Sequence, residues 1–307
     1  MSHDHQSHTH GGHGHLSANY GRAFAIGISL NLAYVAGEAI AGIVSGSLAL
    51  LADAGHNLGD VLGLGMSWGA AVLGRRQPSG RFTYGLRSSS ILAALANAII
   101  LLVVTGGIAW EAILRITNPV PVASGIVIAI AAAGIFINGG TAMLFASGSA
   151  DLNIRSAFLH LAADALVTAG VVVTGVAIWS THWLWLDPAV SLVVSAVIVF
   201  GTWGLLKSAI GLALNAVPEG IDAAAVRSHL LALPGVTGLH DLHIWGMSTT
   251  ETALTCHLIM PDGHPGDGML SAITQQLHHR FGIEHATIQI ELADTDEACA
   301  LTPEHVV

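Results

Sequence analysis

The stretch LALLADAGHNLGDVLGLGMSWGAAVL, residues 48–73, decides the fold. It has no Lys, Arg or Pro, and at 1.5 Å per residue it is long enough to cross the roughly 30 Å hydrocarbon core of a bilayer. Ser45-Gly46-Ser47 reads as a turn before it, and Arg75-Arg76 opens a polar loop after it. Outward from this segment the same signal repeats. Phe24 to Val44, Ile91 to Ile113, Val122 to Ala146, Ala157 to Ile178 and Val190 to Leu206 are apolar runs of spanning length, separated by turn residues such as Asn118-Pro119, Ser147-Gly148-Ser149 and Asp187-Pro188. The expectation is an α-helical membrane protein with six transmembrane helices.

Composition agrees. Apolar residues make up 52% of the 307-residue chain and charged residues only 10%, far from the quarter or so of a soluble protein. Basic residues give the orientation, because basic loops next to spans stay in the cytoplasm. Arg22, Arg75, Arg76, Arg81, Arg87, Arg155 and Lys207 all fall on one side, and only Arg115 on the other. Both termini are therefore expected in the cytoplasm. The first run carries Asn31, Tyr34 and Glu38 and follows a His-rich start without a basic leader, unlike a cleaved signal peptide. Short loops and the lack of eukaryotic targeting signals favour a bacterial inner membrane.

Residues 1–214 hold eight acidic and eight basic residues, whereas 215–307 hold twelve acidic ones against Arg227 and Arg280. The net charge of -10 thus belongs to the tail, which argues against nucleic acid as a partner and suits cations, although acidity also simply keeps a domain soluble. Four divisions follow: a disordered His-rich cytoplasmic tail at 1–19, the six-helix domain at 20–214, a cytoplasmic domain at 215–293 and a flexible end at 294–307. In the third, 221–233 reads as a helix, 236–247 and 252–260 as strands, 268–281 as a helix and 286–292 as a strand. The order αββαβ suggests a small α+β sandwich of ferredoxin-like kind, thin enough to need a second copy or bound metal. Cys256 and Cys299 fall there too, without CxxC spacing, so a disulfide or zinc knuckle is not expected.

His56 and Asp60 stand four residues apart in the second span, and His160 and Asp164 repeat the spacing in the fifth. Just over one helical turn puts each imidazole and carboxylate on one face. Counting along the helices places Asp164 about 14 Å and Asp60 about 18 Å from their nearest polar ends, near the middle of the bilayer. An ionised Asp there costs roughly 2.5 to 3.5 kcal/mol on insertion scales. A lone intramembrane His is more often interhelical glue, but two identical pairs favour a metal centre of two nitrogens and two oxygens, which suits tetrahedral Zn²⁺.

These residues carry a resemblance. SGSLALLADAGHNLGD at 45–60, HLAAD at 160–164, Tyr84-Gly85 after the basic loop, Asp187-Pro188, HDLHIW at 240–245 and TIQIE at 287–291 together resemble the cation diffusion facilitator family, in its zinc-exporting branch. The resemblance covers almost the whole chain. It implies a homodimer that exports cytoplasmic Zn²⁺, with Cd²⁺ or Co²⁺ as other cargoes, in exchange for protons, and it implies His56, Asp60, His160 and Asp164 as transport ligands. On this reading the chain is a secondary transporter and not an enzyme; a metalloenzyme or a metal sensor without transport is the alternative, and no HExxH motif or separate general base supports the enzyme. Protons compete with metal for these ligands, so His56 or His160 is expected to accept the coupling proton.

Further expectations attach to other residues. His3, His5, His8, His10, His13 and His15 form a tract able to recruit Zn²⁺ weakly. The tail offers His240, His243, His257, His264, His285 and Glu291. The family resemblance points to His240, His257 and Glu291, with His285 added, as a cytoplasmic site for Zn²⁺ as a regulatory ligand. Strict alternation puts His240 and His243 on opposite faces of one strand, which a bulge would reconcile. Asn31, Asn97 and Asn138 read as helix glue, Glu38 as glue or a cation-path residue, and Asp53 as a solvated vestibule residue. Arg75, Arg76, Arg81 and Arg87 are topology signals that also suit membrane lipid or the acidic tail.

Overall fold

The computed structural model describes residues 18–145 and 152–292; the side chains of 18–30, 141, 144–145, 152–158 and 160 are outside the described set. The His3–His15 tract and the 294–307 segment also lie outside the described residues.

Six long helices come first: α1 (Ala18–Ser45), α2 (Leu48–Gly74), α3 (Ser89–Thr117), α4 (Ser124–Phe145), α5 (Leu152–Thr181) and α6 (Leu186–Ala213). α3, α6 and the Leu161–Thr181 part of α5 are long and apolar enough to cross a membrane; Asn31–Ser45 and Ser124–Gly140 are shorter apolar stretches. The largest boundary difference is at α6, which continues well past the expected end at Leu206. Lys207 carries a long aliphatic stem and does not break a helix; the stop comes at Asn215, whose φ of 58° is left-handed.

α2 packs against α1, α3, α5 and α6, so its polar residues face other helices. Its start is fastened by side chains. Gly46 turns the chain with φ of 71°, a conformation that glycine takes without strain. Ser47 caps α2 by accepting from the Leu50 N–H, and donates its own proton to Asp187 of α6. Asp187 also accepts from the Leu48 N–H at 2.7 Å and the Ala49 N–H at 3.4 Å. Ser191 of α6 donates to the Leu48 carbonyl at 3.2 Å. Asp187-Pro188, expected as a turn, thus forms the first turn of α6, where Pro is tolerated because its missing N–H would have no helical partner. Arg115, the exception in the charge pattern, donates to the Gly46 carbonyl at 2.8 Å and pairs with Glu111.

The tail folds as α7 (Ala223–Leu231), β1 (Gly238–Gly246), β2 (Thr252–Ile259), α8 (Asp267–Phe281) and β3 (His285–Glu291), in the expected order. Asp222 caps α7 through the N–H groups of Ala224 and Ala225, and Gly282 ends α8 in a left-handed turn. The sheet order is β1-β2-β3, antiparallel between the first two and parallel between the last two. Leu254, Cys256 and Leu258 point from β2 into a core with Val226, Leu230, Ile273, Leu277 and Ile283. Burial of each large member is worth about 1.5 to 3 kcal/mol. Leu292, expected as the last residue of the third strand, is exposed because β3 ends one residue earlier.

The two parts meet where α3 begins. Arg87 pairs with Glu251 at 2.8 Å, Ser88 donates to the Met247 carbonyl at 3.1 Å, and the Thr249 N–H donates to Ser90 at 3.0 Å. The basic loop thus meets the acidic tail through Arg87.

Candidate metal centres

The first centre forms where α2 crosses α5. His56 Nε2 lies 3.0 Å from Asp164 Oδ1 and 4.0 Å from Asp60 Oδ2. One ligand atom from each of the three residues falls within 4.8 Å of the others, close enough to share one cation. The i,i+4 spacing places His56 and Asp60 on one face of α2, as expected, and Asp164 comes from the opposing helix. His160 lies one turn before Asp164 in α5, but its side chain lies outside the described residues. Asp164 is buried, whereas Asp60 is half-open at 33% side-chain exposure, so the cluster is reachable past Asp60.

Beside it is a buried network in which sequence reasoning placed Asp53 wrongly, whereas Glu38 joins α1 to α2 as helix glue would. Asp53, expected to be solvated, is 0% exposed, as is Glu38. Asp53 precedes His56 by less than one turn and so points inward with it. Glu38 accepts from Tyr34 Oη at 2.9 Å and Asn57 Nδ2 at 3.0 Å. The Tyr34 hydroxyl occupies space left by Gly134 of α4: a Cβ there would collide with the hydroxyl and stand 2.8 Å from Tyr34 Cζ and 3.2 Å from Thr168 Cγ2. The i,i+4 spacing of Tyr34 and Glu38 and the closeness of Asp53 to His56 were the available signals. Asn97 Oδ1 and Asn138 Nδ2 are buried without a partner among the described residues, so the glue expected of these two is at most half made.

The second centre lies on the open face of the tail's sheet. β1 pairs His240 with His257, and the parallel register sets Glu291 beside Ile259, diagonal to His257 on the same face. His257 Nδ1 is 2.8 Å from Glu291 Oε1 and 3.3 Å from His240 Nε2, and His240 Nε2 is 3.3 Å from Glu291 Oε2. The bulge needed to reconcile the parity is present: the register shifts between His240 and His243, and Asp241 takes φ of 51° within it. Asp241, missed in the sequence, turns its carboxylate to His243 at 2.8 Å and to His257 Nε2 at 3.4 Å.

His285 does not join this cluster. It opens β3 while Glu291 ends it, six residues or about 20 Å apart along the strand. Its ring stacks edge-on against Tyr84 at 5.6 Å. His243 reaches the cluster only through Asp241, and His264 hydrogen-bonds the Gly266 N–H in its own loop. Cys256 faces the core, where burial first and the Asp241 charge second push its thiol up to about 12. It therefore stays protonated and offers no thiolate to a metal.

Comparison with known proteins agrees with both halves. Residues 24–212 match the cation efflux transmembrane domain, and residues 218–293 match the cytoplasmic domain of cation efflux proteins. The chain is 34% identical over 290 residues to the cation efflux system protein CzcD of Alcaligenes sp. (strain CT14), covering 94% of this chain and 92% of that protein. It is 37% identical over 295 residues to the zinc transporter ZitB of Escherichia coli (strain K12), covering 95% and 93%. Over 286 residues it is 32% identical to the cadmium, cobalt and zinc/H(+)-K(+) antiporter of Bacillus subtilis (strain 168), covering 91% and 92%. A helical membrane domain with polar ligands converging between its helices, joined to an α+β tail with its own His/Glu cluster, therefore belongs to the cation efflux family.

Proposed function

We propose that the chain is a divalent cation exporter that moves Zn²⁺, and with the same ligands Cd²⁺ or Co²⁺, out of the cytoplasm in exchange for protons. The observation that carries this is the convergence of His56, Asp60 and Asp164 from α2 and α5, deep within helices of spanning length. His160, one turn from Asp164, completes a two-nitrogen, two-oxygen set suited to a borderline metal. All six long helices cross the bilayer in this reading, with both termini cytoplasmic and the membrane a bacterial inner one. The divisions 20–214 and 215–293 are kept, and the family matches at 24–212 and 218–293 support them.

Release follows from ligand protonation. Imidazole and carboxylate bind metal only when deprotonated, so protons from the outer side compete with the cargo and are carried inward by the emptied site. The tail, with its ferredoxin-like order, pairs with a second copy, and His240, His257 and Glu291 hold a regulatory Zn²⁺ between its strands. The donor chemistry fits: two imidazoles and one carboxylate within 4.8 Å of one another, with Asp241 behind His257 to fix the ring. Such an ion would offset repulsion between two acidic tails.

The test is competitive metal flux into sealed vesicles, with and without a pH gradient, by the wild type and Asp164→Ala. The expected result is gradient-dependent ⁶⁵Zn uptake that Cd²⁺ and Co²⁺ inhibit and that the variant lacks. Equal uptake by the variant, or uptake indifferent to the gradient, would refute the assignment.

A further inference from the structure

We propose that Glu38 and Asp53 form a proton-binding carboxyl pair, separate from the metal ligands, which holds one proton while the metal centre is empty and loses it when a dication arrives. The inference rests on the reading of His56, Asp60 and Asp164 as that centre.

The geometry comes first. Both residues are 0% exposed, and they approach from different helices, Glu38 from α1 and Asp53 from α2. Glu38 is supplied with donors on both oxygens, from Tyr34 and Asn57. Neither oxygen of Asp53 meets an N–H or O–H donor among the described residues. The nearby Thr168 hydroxyl gives its proton to the Asp164 carbonyl at 2.9 Å. Asp53 stands one helical turn before Asn57, which reaches Glu38 at 3.0 Å, so the two buried carboxyl groups face each other across the gap between α1 and α2. Two carboxylates cannot hydrogen-bond each other, and a second buried negative charge without a donor is strongly disfavoured. One proton between them resolves both problems: Asp53 carries it and donates to Glu38, whose two other hydrogen bonds favour its ionised form.

The surroundings make this proton sensitive to cargo. Among the described side chains, the titratable groups near the pair are Tyr34 from α1, His56 from α2 and Asp164 from α5; the α4 sequence has none between Ser124 and Phe145. Asn57, which donates to Glu38, directly follows His56 in the chain. With the centre empty, nearby carboxylates hold the proton on the pair. A dication brings two positive charges beside it and favours the doubly ionised state. The Asp53 O–H bond then breaks heterolytically, the pair passes from one negative charge to two, and the proton goes to water with no electron transferred. Cargo and proton thus exclude each other without sharing a ligand atom.

Infrared difference spectroscopy of the full chain in lipid nanodiscs tests this. The metal-free wild type should show the carbonyl stretch of a protonated carboxyl that disappears on adding Zn²⁺. Asp53→Asn should lack that band, and Glu38→Gln should shift or remove it. In weakly buffered solution Asp53→Asn should release about one proton fewer per zinc bound than the wild type. A wild-type spectrum without the band, or a band that survives zinc binding, would overturn the proposal, and this measurement decides even if neither variant folds. In Asp164→Asn the band should persist with zinc present. If that variant still binds zinc in the membrane domain and still discharges the band, the metal-centre assignment fails while the carboxyl pair stands.

Discussion

Gly134→Ala is a one-carbon change whose effect is fixed by the packing of three helices, α1, α4 and α5. The added Cβ would overlap the Tyr34 hydroxyl and press on Thr168, and the backbone of α4 cannot retreat without disturbing its contacts with α1 and α5. Overpacking of this kind costs about 1 to 3 kcal/mol. If Tyr34 swings away, its hydrogen bond to Glu38 is also lost, and a bond to a charged acceptor is worth about 1.5 to 3 kcal/mol. A total near 4 kcal/mol, at roughly 2 to 4 °C per kcal/mol for a unit of this size, gives a fall in Tm of about 12 °C. Intrinsic fluorescence of the seven Trp residues during heating reads it directly. The clash also predicts non-additivity: Tyr34→Phe removes the overlapping oxygen, so the double variant should be more stable than the sum of the singles implies. A Gly134→Ala protein melting within about 2 °C of the wild type, or strict additivity in the cycle, would refute the packing argument.

Asp164→Asn keeps the shape and a hydrogen bond to His56 but removes one ligand charge. Spreading a site energy of about 12 kcal/mol over four ligands predicts a loss near 3 kcal/mol, so zinc affinity measured calorimetrically should fall at least about 100-fold. In the tail, His257→Ala should weaken zinc binding by at least tenfold, whereas His285→Ala, stacked on Tyr84 far from Glu291, should change it by less than about twofold. Cys256, with a thiol pushed up to about 12, has about one part in 10⁴ as thiolate at pH 8, so maleimide should label it only after unfolding.

Much of this molecule is legible in its sequence because its strongest signals are long. Long apolar runs with no Pro inside them read as helices, whose backbone groups pair within the run itself. The αββαβ order of the tail followed from parity and turn residues alone. The spacing of His56 and Asp60 told which side chains share a face of α2, since helical period is local information. What stayed hidden depends on partners distant in the chain. Asp53 read as a vestibule residue because its depth was counted from Leu48, yet α1 and α5 close over it. His285 was counted with His240, His257 and Glu291, but β3 carries His285 and Glu291 to opposite ends of the strand. Asp241 needed a bulge whose presence parity suggested but whose direction it could not give.

The clasp of Asp187 on the first turn of α2 has a mechanical consequence. With Ser47, Leu48 and Ala49 held by one carboxylate, the start of α2 is fixed to α6, and a tilt of α2 against α5 would pivot near that point. Displacement then grows with distance from it. Asp60 lies twelve residues along, some 18 Å, so a tilt of about 10° moves it by about 3 Å. That is more than a metal–oxygen bond length of about 2.0 to 2.2 Å, so on the proposed metal reading a small scissor motion would separate Asp60 from Asp164.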